Sequence, residues 1–345
     1  MQITAEIIKS GEVYTHGYNA WPSITKMDNG KVAAVWSGGR ENHLSNDGNI
    51  YFSVASENDL IFNDPVIIEY YDNFGARDAG IAYLGDGRIM VTSFYNTSIP
   101  GYDSKKANTP FYHFSDNYGI TWNTSKEIPI MAPHGPLFVT NNIGSTIFYL
   151  GAVPLFNKNG IKNDDGCSIC CYVSYNRGET WTKKGTVKRL DWMHLFDFIE
   201  PNVTLLPNGT FFAGIRFKNN GKNKNYYNSS FFFSSSEDEG ETWSLPVYSG
   251  INGTPPHLLV HSSGAIICTF GRRLAPLSIR AIISVDNCIS WSQEFMLAEE
   301  QINWDFGYPC SVELEDKSIL TIYYGKRNGA PPEDNYILFR LWRLN

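Results

Sequence analysis

The chain has 345 residues, of which 42% are hydrophobic, 14% aromatic and only 18% charged, enough apolar material for a large core. Its formal net charge of −7 argues against a broad nucleic-acid or membrane surface, so an anion must be caught by a local pocket of cations. No apolar run reaches the length of a membrane span, and residues 1–6 lack the basic start and apolar middle of a secretory signal, so the chain reads as cytoplasmic, or as secreted with its leader removed.

Taken in order, β-type apolar runs are broken by glycine turns, several of them Asp-Gly or Asn-Gly, at Gly30, Gly87, Gly144, Gly209 and Gly264. A sixth turn carries Lys317 in the glycine's place. Such turns between β-branched and aromatic runs are hairpin signals, and six hairpins imply six repeated units. A second repeat interleaves with the first. The pattern Ser-x-Asp-x-Gly-x-Thr-Trp stands at 236–243, with close copies at 115–122 and 174–181, a worn one at 284–291 and a decayed one at 56–62. Its short polar side chains suit bonds to nearby backbone N–H groups, its glycine a positive φ, and its tryptophan packing beneath the turn.

Two repeats at this spacing predict an all-β fold, a six-bladed β-propeller of four-stranded antiparallel blades forming one domain over 1–345. After Lys317 only two strand-like runs remain, 319–324 and 336–342, so the sixth blade lacks a strand. The unassigned run 3–8 is expected to supply it and to close the ring, removing exposed sheet edges. The Asn-, Lys- and Gly-rich stretches 157–166 and 218–228 read as loops. The six cysteines read as reduced structural thiols, and neither a metal nor a cofactor is expected.

The same register locates a functional face. In a hairpin the start of the first strand and the end of the second share one edge, opposite the turn. Nine residues before the six turn positions stand Trp21, Asp78, Gly135, Glu200, Pro255 and Tyr308, with His134 and His257 nearby. Beyond the turns stand Ser37, Phe94, Gly151, Arg216, Arg272 and Tyr324, with Arg40 and Arg273 slightly further on. Strand ends in a core normally carry Val or Ile, so a ring of Asp, Glu, Tyr, His and Arg aimed at one mouth reads as a binding site.

These residues resemble the sialidase (neuraminidase) family. The resemblance rests on the Ser-x-Asp-x-Gly-x-Thr-Trp repeats, or Asp boxes, on Trp21-Pro22-Ser23-Ile24 before an Asn-Gly turn, Glu200 followed by Arg216, Arg280 leading an apolar strand into a box, and Gly307-Tyr308-Pro309-Cys310 before the last hairpin. It implies hydrolysis of a terminal sialic acid with retention, by a tyrosine nucleophile, a glutamate that activates it, an aspartic acid/base and three arginines on the substrate carboxylate. Carried over, Tyr308 becomes the nucleophile, Glu200 its base, and Arg216 and Arg280 two of the arginines. Asp47, in the loop after Arg40, becomes the acid/base with Asp78 as its rival, and His134 and His257 become wall residues contacting sugar hydroxyls. The partner implied is an acidic-sugar glycan.

The chain departs from the family at its first inner strand, where Ala20-Trp21-Pro22 replaces Arg-Ile-Pro. Arg40, Arg77 or Arg273 is expected to compensate, or else Trp21 to offer a stacking platform to a different acidic sugar. Two other activities use similar residues: a propeller polysaccharide lyase acting on uronic acids, and a glycan-binding propeller without turnover.

Overall fold

The computed structural model describes residues 4–69, 74–96, 109–130, 138–139, 145–156, 162–189, 193, 197–219, 227–299, 304–327 and 329–345. Among them there is no α-helix. A first strand, β1 (Ala5–Tyr14), precedes blade 1, which holds β2 (Tyr18–Lys26), β3 (Lys31–Arg40), β4 (Asn49–Ser56) and β5 (Val66–Glu69). Blade 2 holds β6 (Gly75–Gly85), β7 (Arg88–Asn96), β8 (Pro110–Ser115) and β9 (Lys126–Glu127). Blade 3 holds β10 (Phe138–Val139), β11 (Ile147–Phe156), β12 (Lys162–Ser174) and β13 (Thr182–Thr186). Blade 4 holds β14 (Asp197–Leu205), β15 (Phe211–Lys218), β16 (Ser229–Ser236) and β17 (Val247–Tyr248). Blade 5 holds β18 (His257–Val260), β19 (Ile266–Arg272), β20 (Ser278–Ser284) and β21 (Phe295–Glu299). Blade 6 joins β22 (Gly307–Glu313), β23 (Ile319–Gly325) and β24 (Tyr336–Leu344) to β1.

The six blades form a ring in chain order. The innermost strands touch in sequence, β2 against β6 and so on to β22, which returns to β2. Closure depends on the first strand: β1 pairs antiparallel with β24, Ala5 opposite Leu344 and Ile7 opposite Trp342. The strand starts later than the 3–8 run and extends well past it, to Tyr14. The stretch 157–166 is not wholly a loop, because β12 begins at Lys162 and pairs it with Phe156, prolonging the hairpin outward. Most of 218–228 lies outside the described residues. Cys170, Cys171, Cys268, Cys288 and Cys310 are free thiols.

The hairpin turns have the backbone that their glycines suggest, with φ of 71° at Gly30 and 87° at Gly209 and Gly264. Lys317 occupies the same left-handed region at 68°, despite its Cβ. The copies at 115–122, 174–181, 236–243 and 284–291 share one hydrogen-bond pattern, which the decayed copy at 56–62 lacks. At 236–243 Ser236 Oγ accepts from the Gly240 N–H at 2.8 Å, and Asp238 Oδ1 accepts from the Thr242 N–H at 2.8 Å. Box tryptophans fill the seams between blades: Trp122 meets Phe52 of blade 1 edge-on at 5.0 Å, and Trp291 stacks on Phe233 of blade 4 at 5.2 Å.

The boxes lie on the hairpin-turn face. The Tyr118 N–H donates to Gly87 O at 2.8 Å, and the Glu57 N–H to Gly30 O at 3.1 Å. They are therefore remote from the opposite strand ends. Hydrogen bonds from Thr242 and Ser236 hold the Asp238 carboxyl down to about 2, so the turn keeps its anion to strongly acid pH. Asp238→Ala is expected to lower the melting temperature by roughly 2–4 °C and to leave kcat and KM of the folded protein unchanged. A large loss of turnover at unchanged stability would contradict this structural role.

Candidate active site

Among the described residues, four inner strands carry the same irregularity at the mouth. Trp21, Asp78, Glu200 and Tyr308 have φ of 53°, 48°, 47° and 51°, a region costly for residues with a Cβ. Each sits at a register shift where the inner strand holds one residue more than its neighbour, as between Ile199 and Pro201 or Gly307 and Cys310. Such bulges re-aim a side chain. Here they turn one side chain per blade toward the central axis, and the repetition marks the positions as built rather than accidental. The glycines beside the last bulge have separate causes: a Cβ on Gly271 of blade 5 would lie 3.1 Å from the Gly307 Cα, and Gly307 itself holds a φ of 121°.

The bulges deliver a buried cluster. Tyr308 Oη donates to Glu200 Oε1 at 2.8 Å, while Arg216 Nη1 donates to Tyr308 Oη at 2.7 Å and also to Glu200 Oε2. Burial raises the Tyr308 phenol well above its ordinary value, with Arg216 opposing and Glu200 adding to the shift. The phenol therefore needs a base beside it to react, and Glu200 is that neighbour.

Asp78, next along the floor, is 7% exposed, and its buried Oδ1 has no hydrogen-bond partner. Burial and the charge of Glu200 push its carboxyl up to about 7, against the pull of Arg77, Arg216 and Arg40. A carboxyl raised by folding binds its proton more tightly in the native state than in the unfolded chain. Its contribution to stability is complete below the unfolded value near 3.8 and is lost as pH rises through about 7. Relative to Asp78→Asn, the unaltered protein should lose on the order of 4 kcal/mol between pH 4 and pH 8. Urea unfolding at both pH values measures it, and a difference independent of pH would contradict the assignment.

These groups share a cavity of about 860 Å³, whose wall also includes Trp21, Arg77, Arg273, His43, Trp304 and Asp305. Trp21 is 2% exposed, so it offers no stacking face. The Arg77 guanidinium covers its ring at 4.2 Å, and Arg40 lies 5.0 Å from it. The platform expected of Trp21 is thereby excluded; the exposed aromatic at this rim is Trp304, 59% accessible. Arg77 makes no side-chain hydrogen bond among the described residues, and Arg273 binds only the Phe306 carbonyl, at 3.0 Å. Both are available to an anion.

The remaining sequence candidates lie elsewhere. Arg280 and Arg272 both donate to Glu294 at 3.0 Å and do not line the cavity, because Arg280 sits on the third strand of its blade, away from the axis. Arg40 is a scaffold for the loop after β3, donating to the carbonyls of Asn42, His43 and Ser45. Asp47 is exposed and accepts from the Glu41 N–H at 3.0 Å, closing the same loop rather than lining the cavity. His257 is buried between blades, accepting from the Ser311 N–H at 3.3 Å. His134 lies outside the described residues. Sequence reasoning missed His43, Trp304 and Asp305, which lie in loops to which strand register assigns no direction. No group of His, Cys, Asp and Glu among the described residues could hold a metal ion.

Six four-stranded blades with these repeated turns make the molecule a six-bladed β-propeller built on BNR-type repeats. The chain belongs to the BNR repeat-like domain family, which matches residues 30–322. No curated protein matches it in sequence. A protein of unknown function from Dyadobacter fermentans DSM 18053 is 18% identical, with a TM-score of 0.82 over 99% of both chains. The NanB sialidase from Streptococcus pneumoniae is 12% identical, with a TM-score of 0.69 over 98% of this chain and 70% of its own. Trypanosoma rangeli sialidase is 15% identical, with a TM-score of 0.67 over 94% of this chain and 55% of its own. At such identities the likeness shows the fold alone.

Proposed function

We propose that this protein is a glycoside hydrolase that removes a terminal acidic sugar, sialic acid or a relative, from glycans with retention of configuration. The observation that carries the reading is the buried set in which the Tyr308 hydroxyl donates to Glu200 and accepts from Arg216. Tyr308 Oη attacks the anomeric carbon, Glu200 takes the phenolic proton, and the bond to the aglycone breaks. Water then releases the sugar, and Glu200 returns the proton to the departing phenolate. A neutral phenol suits an anomeric carbon that already bears a carboxylate, since an Asp or Glu nucleophile would meet repulsion there.

Arg77 and Arg273 receive the substrate carboxylate, in place of the arginine absent at Ala20. Guanidinium remains charged at any working pH and can bind a carboxylate with two parallel hydrogen bonds. Asp78, proton-bearing near neutrality, donates to a ring hydroxyl from the floor. The test is a panel of aryl glycosides of sialic acid and other acidic sugars, with the first-released anomer read by NMR. Release of the sugar in the configuration of the substrate is the expected result. An unsaturated, ultraviolet-absorbing product would mean a lyase, and saturable binding without turnover a lectin-like propeller; either would overturn the reading.

A further inference from the structure

We infer that His43 is the acid/base of this site and Asp305 its positioning partner; the inference rests on the hydrolase reading above and adds the group that moves the leaving-group proton. His43 sits in the loop after β3 and lines the cavity that holds Tyr308. Asp305 Oδ1 lies 2.9 Å from its Nδ1. Tyr18 Oη donates to Asp305 Oδ2 at 2.5 Å, Tyr324 Oη donates to Oδ1 at 3.0 Å, and Asn335 Nδ2 donates to the Asp305 carbonyl at 3.1 Å. Burial alone would raise the Asp305 carboxyl, but hydrogen bonds from His43, Tyr18 and Tyr324 bring it below its ordinary value. The anion fixes the proton on Nδ1, as second-layer carboxylates do for working histidines.

The imidazole is held on all sides except one. Its ring meets Trp21 edge-on at 5.2 Å and Trp304 at 5.5 Å, and Arg40 Nη2 donates to its carbonyl at 3.2 Å. Nε2 makes no hydrogen bond among the described residues, and the side chain keeps 29% of its surface exposed. The titratable groups bonded to the ring are Asp305 and Tyr18, and Glu41, Arg77, Lys218, Arg273, Lys326 and Glu333 share the cavity wall.

Position separates His43 from Asp47 and Asp78. Asp47 closes its own loop through the Glu41 N–H. Asp78 is 7% exposed and within the field of Glu200, so it belongs to the floor where the nucleophile lies. An aglycone must leave toward the rim, where His43 and the exposed Trp304 stand. An imidazolium also suits an anionic substrate better than a carboxylate would, because the two charges attract. In the first half-reaction His43 Nε2–H protonates the departing glycosidic oxygen as the Tyr308–sugar bond forms. In the second, neutral His43 takes a proton from water as the water oxygen bonds to the anomeric carbon and Tyr308 leaves. One proton moves out and one returns, so the histidine ends as it began.

The experiment compares the full-length chain with His43→Gln, His43→Asn and Asp305→Asn on two glycosides of one acidic sugar, a dinitrophenyl and an alkyl glycoside. Melting curves verify that each variant is folded. Loss of the acid should lower kcat/KM for the alkyl glycoside by about 10²–10⁴-fold and for the dinitrophenyl glycoside far less, because that leaving group departs unprotonated. Azide should restore steady-state turnover of the dinitrophenyl glycoside by His43→Gln, forming a glycosyl azide without needing a base. Asp305→Asn should shift the pH profile of kcat with little change in KM. Equal losses on both substrates without azide rescue, or no loss at all, would overturn the role of His43 while leaving Tyr308 untouched. Near-normal turnover in Tyr308→Phe would remove the nucleophile on which these two half-reactions depend, and no turnover by the unaltered protein of any acidic-sugar glycoside would overturn the hydrolase reading and this inference with it.

Discussion

Replacing Tyr308 with phenylalanine is expected to lower turnover of a good substrate by about three to five orders of magnitude while leaving the fold intact. The ring remains packed against Trp21 and Tyr324, so shape and apolar burial are kept. What is lost is one oxygen, the donor to Glu200 and the acceptor from Arg216. Stability should fall by roughly 2–4 kcal/mol, because two hydrogen bonds, both to charged groups, go with that oxygen. Glu200→Gln should cost a comparable amount of activity, and the two losses should not add, because the phenol and its base act as one unit. Near-normal kcat in Tyr308→Phe would remove the nucleophile from the account.

Arg216→Gln is expected to be the most destabilising change at the site, by roughly 3–5 kcal/mol, because it leaves the Glu200 carboxylate buried without its cation. Glu200 and Arg216 are 5% and 8% exposed, so water cannot take over the lost contact. Burial would lower the Arg216 guanidinium, but Glu200 and Tyr308 more than reverse this and raise it above its ordinary value. Neutralising both partners tests the cause. The double variant Arg216→Gln with Glu200→Gln should recover much of the loss in urea unfolding, since no charge is then stranded. A single-variant loss below about 1 kcal/mol would show that the pair is solvated.

The architecture was legible because its signals are local. Glycine turns and Asp boxes fix their own backbone, and counting strands after Lys317 pointed to the amino-terminal run that pairs with β24. The register also grouped Trp21, Asp78, Glu200 and Tyr308, although it did not reveal that all four bulge with positive φ. That strain comes from the ring around each strand and leaves little local trace beyond the proline after three of them. Arg280 misled because a motif fixes a strand but not its distance from the axis; the cavity arginine of that blade is Arg273, just past the inner hairpin. The burial of Trp21 required Arg77 from the next blade to cover it. His43 and Asp305 are 262 residues apart in loops, where no periodicity gives direction.

The most direct test of the central claim is a rapid-quench experiment with a dinitrophenyl glycoside of an acidic sugar, followed by intact-mass and peptide-mass analysis. A transient increase in mass by one sugar residue is expected, mapped to the peptide containing Tyr308 and absent from Tyr308→Phe. Released sugar with no adduct at any time, or an adduct on a residue other than Tyr308, would contradict it.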